Sequence, residues 1–258
     1  MASPVKAKKH LGQHFLVDLN IAQKIVNALP QDDLTILEIG PGTGVLTQYL
    51  IEKENFTAFD IDIESIDFLK EKYPQHAHKI HFQDFLKADL TPFAAKGNFK
   101  VIGNFPYNIS TQIMFRVLEH RADVSALVGM FQKEVAVRIA EKPGTKAYGI
   151  LSVLLQAFYK IEYLFTVSEH VFNPPPKVKS AVIRLTRNTT DTLNCNEDLF
   201  FKVVKASFNQ RRKTVRNSVK VLSGNAVVES IYLDKRAEQL SVAEFVELTN
   251  SIETAIKK

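Results

Sequence analysis

Four short apolar runs, each ending on a glycine or a small polar residue, constrain this chain more than any other feature. Ile36-Leu37-Glu38-Ile39 closes on Gly40, Phe56-Thr57-Ala58-Phe59 on Asp60, Ile80-His81-Phe82 near Asp84, and Lys100-Val101-Ile102 near Asn104. Helical patterns fall between or after them, over residues 46–51, 63–72 and 111–120, and another strand-like run follows at 126–130. Apolar runs alternating with helices predict an α/β fold with a doubly wound, mostly parallel sheet. In such a sheet ligands gather at the carboxyl ends of the strands, which is where Gly40, Asp60, Asp84 and Asn104 fall.

The loop Glu38-Ile39-Gly40-Pro41-Gly42-Thr43-Gly44 closes the first strand. Glycine lets backbone approach a ligand where a Cβ would collide. The dinucleotide fingerprint needs a further glycine at position 45, which is Val45, and the phosphate loop needs Gly-Lys-Ser/Thr, which is absent. A glycine loop without either phosphate motif suits S-adenosyl-L-methionine, whose methionine portion crosses the loop at Gly40 and Gly42. Asp60 is placed to accept ribose hydroxyl protons and Asp84 to hold the adenine amino group. The fold expected is therefore Rossmann-like, of the class I methyltransferase type.

Asn104-Phe105-Pro106-Tyr107 supplies what methylation of a planar amino group requires. An exocyclic amine on adenine is a poor nucleophile because its lone pair is conjugated into the ring. Acceptors for both its protons, the Asn104 side-chain oxygen and a tetrapeptide carbonyl held by the fixed φ of Pro106, weaken that conjugation. Tyr107 can stack on the base. No strong general base is needed, since the proton leaves after the transfer.

Beyond 130 the pattern predicts helices at 133–141 and 150–157, and strands at 160–165 and 181–185 that pair as an antiparallel edge. A weakly patterned polar stretch at 188–196 sets the expected boundary: a methyltransferase domain over 1–188 and a small all-helical RNA-binding domain over 189–258. Ser241-Val242-Ala243-Glu244 reads as a capping box opening the last helix.

Charge is segregated. Residues 1–17, 170–190 and 199–228 hold 14 of the 33 Lys and Arg and none of the 28 Asp and Glu. Basic segments on an otherwise acidic chain point to a polyanion such as RNA. No run reaches the roughly 18 apolar residues of a membrane span, and the first residues lack an apolar signal core. With Cys195 the only cysteine, there is no internal disulfide or cysteine metal cluster. His76, His78 and His81 lie in a polar turn and read as solvated surface. A cytoplasmic, monomeric protein with neither membrane nor metal is expected.

The segments Lys8-Lys9-His10-Leu11-Gly12-Gln13-His14-Phe15-Leu16, the Gly40 loop, Asn104 to Thr111 and Phe172-Asn173-Pro174-Pro175-Pro176-Lys177-Val178-Lys179-Ser180 resemble the ribosomal RNA adenine dimethylases. The stretches 209–218 and 236–241 resemble the small-subunit branch of that family. The resemblance runs from about residue 6 to 250. It implies N6,N6-dimethylation of two adjacent adenosines near the 3′ end of small-subunit rRNA, late in subunit assembly, with S-adenosyl-L-methionine as donor. Carried onto this chain, it implies that His14 and Leu16 line the cofactor entrance and that Gly40 contacts the methionine portion. Asp60 would hold ribose, Asp84 adenine, and Asn104 both cofactor and target base. Tyr107 and Phe172 would sandwich an extruded adenine. Arg211, Arg212, Lys213 and Arg216 would grip the rRNA backbone. The chain departs from the family in having His14 where Asn is frequent and Phe105 where Leu is usual. Two rival readings are a large-subunit rRNA methylase on the same sheet and a ribosome-assembly or transcription factor that keeps the fold and RNA binding but has lost methyl transfer.

Overall fold

The computed structural model describes residues 5–210 and 212–257; the expected RNA contact Arg211 lies outside the described residues. The chain divides into two compact units, Met1–Ala136 with Glu162–Arg187, and Val137–Ile161 with Asn188–Lys258. A crossing at 187/188 adjoins the boundary expected from composition. The excursion 137–161, expected in the first domain, groups with the second unit.

In chain order the elements are β1 (Phe15–Leu16), α1 (Leu19–Asn27), β2 (Thr35–Ile39), β3 (Phe56–Asp60), α2 (Ile63–Lys72) and β4 (Ile80–Phe82). Then come α3 (Thr91–Ala94), β5 (Phe99–Asn104), α4 (Ser110–Glu119), β6 (Val124–Gln132), α5 (Lys133–Ala140), α6 (Ile150–Gln156) and β7 (Tyr159–Val167). They are followed by β8 (Phe172–Asn173), β9 (Ser180–Arg187), α7 (Glu197–Asn209), α8 (Val215–Ser218), α9 (Lys220–Ser223) and α10 (Val242–Ile256).

Seven strands form one sheet in the order β4-β3-β2-β5-β6-β9-β7. The pairs β3–β4, β2–β3, β2–β5 and β5–β6 are parallel, and β9 runs antiparallel against β6. The central strands are apolar on both faces, as a sheet covered by helices demands: Ile36, Leu37, Ile39, Val101 and Ile102 are all buried. The chain moves outward from β2 to β3 and β4, then returns to β5 on the other side. This reversal is the topological switch point, and a crevice opens there beyond the carboxyl ends of the strands.

Residues 46–51, expected as a helix, instead make a tight turn with a 3-10 segment at Thr47–Tyr49. The preceding Gly40, Gly42 and Gly44 all take positive φ, and Thr47 turns its hydroxyl back onto Glu38 at 2.8 Å. A short sheet of β1 and β8 went unforeseen; it pairs Phe15 with Asn173 and Leu16 with Phe172.

The second unit is mostly helical. α7 is capped by Asn196, whose side chain accepts from Leu199 N–H, and it buries Phe200, Val203 and Val204. The Ser241–Glu244 capping box forms as the sequence predicts, with Glu244 Oε2 accepting from Ser241 N–H at 2.8 Å. α10 buries Phe245, Leu248 and Ile252. α6 packs against α7 and α10 through a continuous buried run, Leu151 to Leu155, apolar but for Ser152, which is why 137–161 groups here.

Candidate active site

One cleft of about 790 Å³ of atom-free space, part of it open to solvent, lies at the switch point. Gly40, Gly42, Asp60, Asp84, Asn104, Tyr107 and His14 all line it. Seven of the nine residues expected to hold cofactor or base therefore share one surface.

The floor is the loop after β2. Gly42 has φ of +54°, and a Cβ there would stand 2.8 Å from the Phe15 ring, so glycine is what lets Phe15 pack against the loop. Its N–H donates to Asp60 Oδ2 at 3.2 Å, while Asp62 N–H donates to Asp60 Oδ1 at 3.0 Å. Each carboxylate oxygen has lone-pair capacity left for a ligand hydroxyl. Burial pushes the Asp60 pKa up, and the Asp62 charge adds to this, against the backbone hydrogen bonds that lower it. Behind the loop Glu38 is fully buried. Desolvation raises its pKa to about 8, with a further push from Asp60, although the Thr47 hydroxyl opposes it.

Asp84 turns one oxygen to Leu86 N–H at 2.9 Å and the other toward Lys87 Nζ at 3.8 Å. Ile61, unassigned by the sequence reading, is 43% exposed and lines the same cleft. It offers an apolar surface in the cleft that also holds Asp60 and Asp84.

Asn104 ends β5. Its side-chain N–H donates to the His14 carbonyl at 2.9 Å, which fixes the amide so that Oδ1 is left as an acceptor. Phe105 points away into the core, and its larger ring is accommodated by glycine. Gly103 and Gly129 are register partners on β5 and β6, and a Cβ on Gly129 would come within 2.1 Å of the Phe105 ring. Tyr107 hydrogen-bonds through its hydroxyl to Ser180 Oγ at 2.5 Å. Burial raises its pKa, though the Ser180 bond pulls the other way, so the phenol is neutral. The His14 ring lies 5.4 Å from that of Tyr107 at a tilt of 30°, and His14 Nδ1 is 2.8 Å from the Pro174 carbonyl, to which it donates.

Two expected residues are elsewhere. Leu16 is 1% exposed and Phe172 is 4% exposed, both in the apolar cluster that includes Val167. Successive strand residues face opposite ways, so Phe15, which lines the cleft, sends Leu16 into the core. Phe172 is the cross-strand partner of Leu16 and shares its face. The aromatic sandwich of Tyr107 and Phe172 is therefore not formed in this structure.

A strap from Lys8 to Phe15 closes one side of the cleft; sequence reasoning assigned only His14 in it a role. Asp62, the cap of α2, receives Lys8 Nζ, Gln13 Nε2 at 2.8 Å and Ser65 Oγ at 3.0 Å. Burial alone would raise the Asp62 pKa, but the bonds from Gln13, Lys8 and Ser65 outweigh it and hold the carboxyl below its ordinary value. Asn108 donates to the His10 carbonyl at 3.3 Å. The only signal in the sequence was the basic, motif-like character of this segment.

In the second unit, Arg212 and Lys213 are exposed, and neither side chain has an ion pair among the described residues. Arg216 is engaged by Asp234, at 3.0 Å from Nε and 2.9 Å from Nη2.

Comparison with known proteins decides the family. The model of the family described as ribosomal RNA adenine dimethylase matches residues 5–254. The chain belongs to this family. Over 257 residues it is 55% identical to ribosomal RNA small subunit methyltransferase A of Bacteroides thetaiotaomicron, covering 98% of this chain and 96% of that one. It is 58% identical over 253 residues to the protein of the same name from Cytophaga hutchinsonii, covering 96% and 98% respectively. Among solved structures a dimethyladenosine transferase from Plasmodium falciparum matches with a TM-score of 0.75 at 24% identity, covering 94% of this chain and 98% of the other. At that identity the likeness establishes the fold alone, a Rossmann-like sheet. As a member of the dimethylase family with these relatives, the chain is an rRNA methyltransferase. No helix among the described residues is long and apolar enough to cross a membrane.

Proposed function

We propose that the chain uses S-adenosyl-L-methionine to convert two adjacent adenosines near the 3′ end of small-subunit rRNA to N6,N6-dimethyladenosine, late in subunit assembly. The observation carrying this reading is the convergence of Gly40, Asp60, Asp84 and Asn104 on one cleft, in a chain whose relatives bear the small-subunit name over nearly their whole length. That name favours the small-subunit reading over the large-subunit rival. The intact cleft speaks against a factor without methyl transfer. The protein would act as a cytoplasmic monomer on an assembling subunit.

The residues present fit the donor. The cradle at Gly42 excludes any side chain, Asp60 retains acceptor capacity for ribose hydroxyls, and Asp84 Oδ2 and Ile61 suit adenine. Bound S-adenosyl-L-methionine would supply an electrophilic methyl carbon on a sulfonium. Asn104 Oδ1 would accept one proton of the adenine N6, because its amide is already oriented by His14. The Pro106 carbonyl is taken by Ile109 N–H at 3.2 Å and that of Tyr107 by the Ser110 hydroxyl at 3.1 Å. Each of these keeps one lone pair, but the Phe105 carbonyl, with neither bond, would be the better second acceptor. Accepting both protons favours a pyramidal nitrogen, and once methylated the cationic nitrogen would lose one proton to solvent. Tyr107 would stack on the extruded base. Arg212 and Lys213 would hold rRNA phosphates, with Arg216 contributing less because of Asp234.

The test is to incubate the protein with unmodified small subunits, large subunits and naked rRNA, supply labelled donor, and map the label. Label at the paired adenosines of the small subunit is expected; label on large-subunit rRNA, or none, rejects the reading. Asn104→Ala should abolish transfer while subunit binding persists, and a fully active variant would remove the acceptor role.

A further inference from the structure

Tyr107 is fixed at more points than a turn residue needs. Its carbonyl is bonded to the Ser110 hydroxyl, its ring lies against His14, and its hydroxyl meets Ser180 Oγ at 2.5 Å. Ser180 is completely buried, and among the described residues its side chain has no other hydrogen bond. It is also far away in sequence and arrives by topology. β9 runs antiparallel to β6, so its first residue, paired with Gln132, stands at the same sheet edge where the parallel strands end. A strand of the opposite direction would place Ser180 at the other end of the sheet.

We propose that Ser180 is a positioning residue that sets the angle of the Tyr107 ring for the target adenine, an inference that rests on the adenine methylation proposed above. A tyrosine side chain rotates about two bonds. A stacking platform must be held within roughly 10–20° to present its face usefully. A bond at the far end of the ring gives more control over that angle than contacts near the backbone. Burial keeps the phenol neutral, so the bond joins two hydroxyls of fixed protonation. With Phe172 turned into the core, no second aromatic from the β8 segment corrects the base if Tyr107 swings.

The experiment is a double-mutant cycle with Ser180→Ala and Tyr107→Phe, on the full chain with unmodified small subunits. Rate at saturating donor and subunit, donor affinity and thermal midpoint are measured for each. Each single change should lower kcat about tenfold, the effect of losing one well-placed hydrogen bond. The double variant should be no slower than the slower single, because both remove the same bond. Donor affinity should stay within about twofold, since Ser180 does not line the cleft. Multiplying losses of about a hundredfold would overturn the proposal, since they would mean two independent roles. Wild-type turnover in Ser180→Ala, or a loss confined to donor binding, would also overturn it. Wild-type protein that methylates no adenosine rejects the functional reading itself, which these outcomes distinguish from failure of the Ser180 role.

Discussion

Replacing Glu38 with Gln should remove a large part of the protein's pH dependence of stability. Glu38 is 1% exposed, and burial lifts its pKa from an ordinary 4.5 to about 8. The folded state therefore binds a proton that the unfolded chain has already lost between those values. Stability from this group is complete below the unfolded pKa and is lost as pH rises through the folded one. At roughly 1.4 kcal/mol per pH unit the full difference is about 5 kcal/mol, of which about 3 kcal/mol falls between about pH 5 and about pH 7.5. Gln keeps an oxygen to accept the Thr47 hydroxyl, has nearly the same volume, and carries no charge to desolvate. Urea unfolding of both proteins at several pH values gives the comparison. The quantity that matters is the change in the difference between them, which cancels any fixed cost of the substitution. The variant should gain on the wild type from pH 5 to about pH 8 and level off above it, at constant denaturant slope. Parallel stability curves would refute the reasoning, since they would mean that Glu38 is charged in the folded protein at neutral pH.

Gly42→Ala should eliminate measurable donor binding, because its Cβ meets Phe15 at 2.8 Å, and should cost about 1–3 kcal/mol of stability through its positive φ. Gly97→Ala, also at positive φ but with nothing within 4 Å, should leave binding intact; calorimetric titration separates the two. Lys8→Ala should weaken donor binding several-fold by loosening the strap, and unchanged affinity would mean that the strap is not part of the site. Replacing Arg212 and Lys213 together with Ala should lower the salt slope of subunit binding by up to about 1.4–1.8, at 0.7–0.9 per phosphate contact. An unaltered slope would place the RNA elsewhere.

What the sequence disclosed and what it concealed follow from the range of the interactions. Gly40, Asp60, Asp84 and Asn104 were legible because each is fixed by its own strand, and parallel strands bring their ends to one edge. Leu16 and Phe172 were not. Their orientation depends on a two-residue sheet joining segments over 150 positions apart, and a shift of one residue would have reversed both. Phe105 is another such case. Its size is harmless because Gly103, two residues before it, and Gly129, on a different strand, both leave space, and only the first of these lies near residue 105 in the sequence. The helix expected at 46–51 failed for a local reason that was visible only in part, since three glycines tighten the loop but the hold of Glu38 on Thr47 needs coordinates.

Three acids sit close together behind and beside the cleft, and the fold biases them in different directions. Glu38 and Asp60 are raised by burial, whereas Asp62 is lowered by Gln13, Lys8 and Ser65. The strap is what makes this arrangement tolerable, because Asp62 adds to the electrostatic pressure on Asp60 and Lys8 lies against Asp62. Withdrawing Lys8 both frees the strap and leaves the Asp62 charge uncompensated beside Asp60, so the two consequences for ribose binding have the same sign. Asp62→Asn instead opens the strap while relieving Asp60, and these effects oppose each other. The lysine is therefore the informative position, since a weakened Lys8→Ala variant alongside a milder Asp62→Asn variant would separate closure of the strap from the electrostatics of the carboxylates beneath it.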